Sequence, residues 1–160
     1  MHFKDDKGNE LIEIIKGDEQ TAQRMYAPVT HCLVVVKVDG DYLLGWNRWR
    51  QDWEIFGGCL EAGETMRQCV MRECEEEIGI SDVQFQYIGL MSLNLVPDYF
   101  SKEHRREYGG LYGICLHRED LRYIEQYRQD REEIGKVALL GEIGDGERIA
   151  GIDRILLDCY

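Results

Sequence analysis

Hydrophobic positions recur along this chain with two different periods, and each change of period marks an element. Residues 32–38 are a β-branched run that reads as a buried strand, and Asp39-Gly40 behind it is a hairpin signal leading into a second strand at 42–46. An earlier strand is expected at 11–15, after a turn at Lys7-Gly8-Asn9. Residues 53–56 form a short extended segment ended by Gly57-Gly58. The period then becomes helical over 65–78, with Gly79 placed as the C-terminal cap. Strand-like segments return at 83–96, 110–116 and 136–143, and within 147–159 the side chains of Ile149, Ile152, Leu156 and Cys159 share one helical face. The polar segments 97–108 and 118–133 separate the later strands, and the second has room for a helix. Strands mixed with a few helices at irregular intervals predict an α/β fold, a sheet covered by helices.

A length of 160 residues fits one domain spanning the whole chain, with 1–27 as an added strand or hairpin packed on it. The 44% hydrophobic and 31% charged content excludes a disordered tail, and no apolar run is long enough to cross a bilayer. The first residues lack the apolar stretch of a signal peptide, so a cytoplasmic location is expected. A net charge of −12 opposes loose binding to a nucleic-acid polymer or an anionic membrane, leaving small molecules as expected partners and a homodimer open. A phosphorylated substrate would then need a counter-charge from elsewhere, and a divalent metal is the obvious source. Six cysteines, at 32, 59, 69, 74, 115 and 159, show no zinc-like spacing and are expected as reduced core residues.

The helical segment carries its acids on an unexpected side. At about 100° per residue with Glu73 as origin, Glu76 falls near −60° and Glu77 near +40°, so the three carboxylates share one side. Met66, Cys69 and Val70 lie in the same sector, whereas Gln68, Arg72 and Glu75 lie where a solvated face belongs. A charge run is usually a solvated face, but carboxylates set among apolar side chains repel one another and resist desolvation. Arg72 can reach Glu75 and Glu76, yet one arginine cannot balance the group. A hard divalent cation with oxygen ligands can.

Residues 58–80 also resemble the Nudix hydrolase box, G-x5-E-x7-R-E-U-x-E-E-x-G-U with U a bulky apolar residue. Gly58, Glu64, Arg72, Glu73, Glu76, Glu77 and Gly79 supply all seven fixed identities, with Cys74 a small residue at the first U position. Seven such matches at a stated start arise by chance on the order of 10⁻⁸. Phe56 stands where family members usually have proline. The resemblance implies an α/β/α sandwich around a mixed sheet, and Mg²⁺ or Mn²⁺ held by Glu73, Glu76 and Glu77 with the Gly58 carbonyl as an extra ligand. It implies catalytic roles for Glu73, for Arg72 as its orienter, and for Glu64 at the start of the helix. In this family the general base comes from the box or from a later loop; Glu73 is the first candidate here, and Glu132 or Glu133 are candidates for a fourth acid.

The implied reaction is hydrolysis of a pyrophosphate bond in a nucleoside diphosphate linked to another group. A (d)NTP or oxidised dNTP, cut to monophosphate and pyrophosphate, is the first expectation. ADP-ribose or nucleotide-sugar hydrolysis and a non-catalytic nucleotide sensor are the alternatives. For substrate contacts the candidates are Arg48 and Arg50, and, in the 97–108 segment, Tyr99, Phe100 and Arg105 together with His104 and Arg106. Arginines can grip phosphates and aromatic rings can stack on a base, though each is also an ordinary surface residue type.

Overall fold

Val34, Val35 and Val36 are consecutive and all fully buried, so their strand, residues 29–38, is covered on both faces and lies in the middle of the sheet. The computed structural model describes residues 1–160. Its elements are β1 (Phe3–Lys4), β2 (Glu10–Ile15), α1 (Glu19–Met25), β3 (Val29–Val38), β4 (Asp41–Asn47), β5 (Asp52–Glu54), β6 (Phe56–Cys59), α2 (Met66–Ile78), β7 (Gln86–Leu95), β8 (Arg105–Leu116), α3 (Asp120–Tyr127), β9 (Ile134–Leu139) and α4 (Gly151–Leu156). Short 3₁₀ turns follow β9 and α4.

The sheet order is β1-β2-β7-β8-β3-β4-β5, with β6 added to β3 and β9 to β4. β3 and β8 are parallel and the other pairs antiparallel, so the sheet is mixed. Alternation along β3 divides the interior into two layers. Cys32, Val34, Val36 and Val38 face α2, where they pack with Met66, Cys69, Val70, Cys74 and Ile78. Val35 turns to the other face with Leu44, Trp53, Leu111, Leu156 and Leu157, which brings in α4. This is the helix–sheet–helix sandwich expected from the sequence. No helix is long and apolar enough to cross a membrane.

Several boundaries differ from expectation. β8 starts at Arg105 rather than 110, because Arg105 to Tyr108 continue the ladder opposite Leu95 to Ser92 of β7. The last third of the polar segment 97–108 is therefore strand. Gly57 and Gly58 lie inside β6, paired with Leu33 and Cys32, rather than ending a strand. α1 was hidden in a polar stretch; Asp18 caps it by accepting from the Thr21 amide at 2.8 Å. β7 begins only at Gln86, β9 runs Ile134–Leu139 before a 3₁₀ turn, and α4 is shorter than 147–159 because Ile149 bridges to Trp53 in extended form. Cys32, Cys69 and Cys74 are core residues as expected, but Cys59 and Cys115 are exposed and Cys159 half-buried. For Cys59 and Cys115 the strand alternation turns the thiol outward. At the N-terminus, β1 and β2 form a hairpin whose second strand pairs with β7.

Candidate active site

The register of α2 is set at both ends. Thr65 Oγ1 accepts from the Gln68 amide at 3.1 Å while Gln68 Oε1 accepts from the Thr65 amide at 2.9 Å, a reciprocal cap. Gly79, at φ 72°, takes the left-handed conformation that ends the helix. A Cβ there would also crowd the backbone of Tyr127 and Arg128 at the end of α3. The buried sector holds Met66, Cys69, Val70, Cys74, Glu77 and Ile78, so it centres nearer Glu77 than Glu73. Glu77 is accordingly only 5% exposed, Glu73 sits half-sunk at the edge of the sector, and the Glu76 side chain is 46% exposed.

The two sunken carboxylates lie against the glycine pair. The Gly57 amide donates to Glu77 Oε1 at 3.1 Å. Glu73 lies so close over Gly58 that a Cβ on that glycine would overlap its carboxylate. Arg72 folds back from the helix toward the end of β6. Its Nε and Nη2 donate to the two oxygens of Glu64 at 2.9 and 3.0 Å, its Nη1 to Glu73 Oε1 at 2.7 Å, and its Nη2 also to the Cys59 carbonyl at 3.0 Å. Glu76 Oε1 is 3.6 Å from the same guanidinium. Arg72 thus belongs to the acidic group and not to the solvated face where the wheel put it.

The electrostatics follow from this geometry. The Arg72 fork holds Glu64 well below the usual carboxylate range, to about 2. Burial pushes Glu73 up in spite of Arg72, and pushes Glu77 up further, opposed by the Gly57 amide and reinforced by Glu73, Glu133 and Asp130. Two desolvated carboxyls therefore lack sufficient counter-charge, while Glu76 stands beside them and the Gly58 carbonyl, in the β3–β6 ladder, is approached by the Cys69 thiol at 3.5 Å. That donor set is all oxygen, the ligand type of a hard divalent cation, although no three of these side chains converge into a ready cation site in this structure. Phe56, the substitute for the family's proline, is fully buried and pairs with Val34, with Gly45 leaving room for its ring.

Glu133 joins this group from the segment before β9. The amides of Gln129 and Asp130 donate to the Glu76 carbonyl at 2.9 and 2.7 Å, tying that segment to α2. Asn47, at the end of β4 and fully buried, donates from Nδ2 to Glu133 Oε1 at 3.2 Å and to Glu54 Oε2 at 3.1 Å. Its Oδ1 accepts from the Trp49 and Arg50 amides at 3.0 Å each. Sequence reasoning missed Asn47, because asparagine at a strand end reads only as a turn residue.

The other candidates are placed differently. Glu132 lines an open cleft with Arg48 and Trp49. Arg50 is committed to Glu54, its Nη1 donating to both carboxylate oxygens at 3.1 and 2.9 Å. Arg105 is committed to Asp98 and Glu107, at 2.9 and 2.7 Å. Tyr99 and Phe100, 97% and 74% exposed, pack edge-on against each other, and no hydrogen bond or ion pair joins them to the box. Arg105, Arg106 and His104 instead share a separate cleft with Lys4, Glu10 and Asn94.

The structure thus joins a mixed-sheet sandwich to a glycine pair that faces the acidic side of a helix. The NUDIX domain family matches residues 25–139, and the chain belongs to the Nudix hydrolase family, whose members generally use divalent metal cations. The chain is similar to the uncharacterized Nudix hydrolase YfcD of Salmonella typhi, 30% identical over 115 residues covering 68% of this chain and 58% of that protein. It is also similar to the NAD-capped RNA hydrolase NudC of Photobacterium profundum, 35% identical over 72 residues that cover 43% of this chain and 27% of that one. The matched stretch thus spans less than two thirds of each of these curated relatives. In fold, the Bacillus subtilis pyrophosphohydrolase BsRppH matches at a TM-score of 0.67 and 18% identity, over 99% of this chain and 92% of that one. The Nudix domain of Shewanella oneidensis NrtR, complexed with ADP ribose, matches at 0.58 and 14%, over 89% and 96%.

Proposed function

We propose that this chain is a divalent-metal-dependent pyrophosphohydrolase of nucleotides, with a (d)NTP cut to monophosphate and pyrophosphate as the first substrate class. The observation that carries the reading is the pair of sunken carboxylates, Glu73 and Glu77, laid against Gly58 and Gly57. Glu73, Glu76, Glu77 and the Gly58 carbonyl would hold Mg²⁺ or Mn²⁺, which when bound offsets substrate charge and lowers the pKa of water. Arg72 keeps Glu73 turned toward Gly58 by anchoring on Glu64 and the Cys59 carbonyl. For the proton of the attacking water there are two acceptors. Glu73 is one; the other is Glu133, whose Oε2 takes no hydrogen bond while Asn47 holds Oε1.

A Mg²⁺-dependent panel of dNTPs, oxidised dNTPs, ADP-ribose, nucleotide sugars, dinucleoside polyphosphates and NAD tests the reading. The expected result is pyrophosphate release from dNTPs in the parent and loss by orders of magnitude in Glu77→Gln, with ¹⁸O from water entering one product phosphate. Metal-dependent binding of these nucleotides with no hydrolysis of any would instead make the domain a sensor.

A further inference from the structure

Of the three tryptophans, Trp46 and Trp53 pack edge-on with ring centres 5.6 Å apart, while Trp49 is 70% exposed. Trp49 nevertheless rides on a heavily bonded turn. Asn47 Oδ1 accepts from the Trp49 and Arg50 amides, and the Arg48 amide donates to the Glu133 carbonyl at 2.8 Å. Gln51, at φ 58°, donates its amide to the Asn47 carbonyl at 2.8 Å and its Nε2 to the Arg48 carbonyl at 2.6 Å. The loop entropy of this segment is already lost in the free protein, so an aromatic face is held ready in water without internal packing to reward it.

The space in front of that face is bounded on both sides. Arg48 lies with its aliphatic stem across Gly135, where a Cβ would meet Cδ at 2.7 Å and Cγ at 2.8 Å, so the glycine makes room for it. Arg48, Trp49 and Glu132 line a cleft of about 390 Å³. Glu132 belongs to the segment whose Gln129 and Asp130 amides bond the Glu76 carbonyl and whose Glu133 carbonyl accepts from the Arg48 amide, so one stretch of chain ties the cleft to the box helix. A planar ring, a cation and a carboxylate at the rim of a phosphate-processing site match a nucleobase, which offers a stacking face and polar edges.

We propose that Trp49 stacks the base of the bound nucleotide in this cleft, making the 48–51 turn, and not the aromatic pair at Tyr99 and Phe100, the element that reads the nucleoside. The proposal rests on the nucleotide reading above and deepens it by naming the base subsite. Arg48 flanks the base, and Glu132 accepts from an amino edge.

Tryptophan fluorescence tests it without turnover. AMP and GMP should quench parent emission, ribose 5-phosphate should not, and Trp49→Phe should lose the nucleotide-dependent quench. In steady-state assays Trp49→Ala should raise KM for nucleoside triphosphates about tenfold with kcat little changed, and Trp49→Phe should restore most of it. Absence of quenching, equal quenching by ribose 5-phosphate, an unchanged response in Trp49→Phe, or an emission change driven by protein concentration alone would each overturn the proposal. If the parent quenches as expected but hydrolyses no nucleotide, the base subsite stands and the hydrolase reading falls.

Discussion

The carboxylate of Glu73 occupies the space that a side chain at position 58 would need. Position 58 demands glycine for a close approach and not for a left-handed backbone, since its φ does not lie in that region. Gly58→Ala should therefore fold, at a cost of about 1–3 kcal/mol for overpacking. Displacing Glu73 by a fraction of an ångström should lower kcat by about 100-fold. Thermal melts beside a pyrophosphate-release assay check both; full activity in this variant would mean the contact has no part in the chemistry.

The side of the helix should matter more than its charge. Glu75 points away from the box and accepts from Ser81 Oγ at 2.6 Å. Glu75→Gln should stay within about twofold of the parent, whereas Glu76→Gln, of equal charge change, should lose about 100-fold or more in kcat. A Mg²⁺ titration of both variants decides between placement and simple charge. Mg²⁺ should also raise the melting temperature of the parent and leave a Glu73/Glu76/Glu77 triple glutamine variant unmoved.

A second acidic group should govern stability in the neutral range. Asp153 Oδ2 accepts from the Ile55 amide at 2.9 Å beside Asp52 and Glu54, and burial pushes its carboxyl up to about 7. Asp52, fully buried, has Lys7 and Arg148 at 3.5 Å but no hydrogen-bond partner. Because the folded-state pKa of Asp153 is raised, its contribution is fully present below the unfolded value near 3.8 and is lost as pH rises through about 7. Asp153→Asn keeps an acceptor for Ile55 and removes the titration. Its melting temperature should fall less steeply than that of the parent between about pH 5 and 8, measured by thermal denaturation. Parallel curves would show that burial of this carboxyl carries no such cost.

Asn47 ties the 48–51 turn to Glu133, so its loss should affect two kinetic quantities at once. Glu133→Gln should lower kcat alone and Trp49→Ala should raise KM alone. Asn47→Ala should do both, and should lose about 1–3 kcal/mol of stability in urea denaturation because buried partners are left unpaired. An unchanged KM would separate the turn from substrate binding.

The order of residues along the chain was enough to determine α2, its C-terminal stop and its acids. A 3.6-residue period, a Gly79 stop and carboxylates at fixed spacing are all local, and so is the hydrophobic patterning of the strands, whereas the Thr65 cap came from the structure. Tertiary structure decided what the side chains outside the box do. Asn47 and Glu133 are 86 positions apart and meet only because β9 pairs with β4, while Arg50 and Arg105 are taken up by acids brought near them through local folding. The burial order was also decided there: Glu77 lies deepest because the sheet, not the helix wheel, sets where the buried sector is centred. Local pattern encodes torsional preference and amphipathic side, both properties of neighbouring residues. Which distant polar groups share a desolvated space depends on the sheet order, and only the folded chain supplies it.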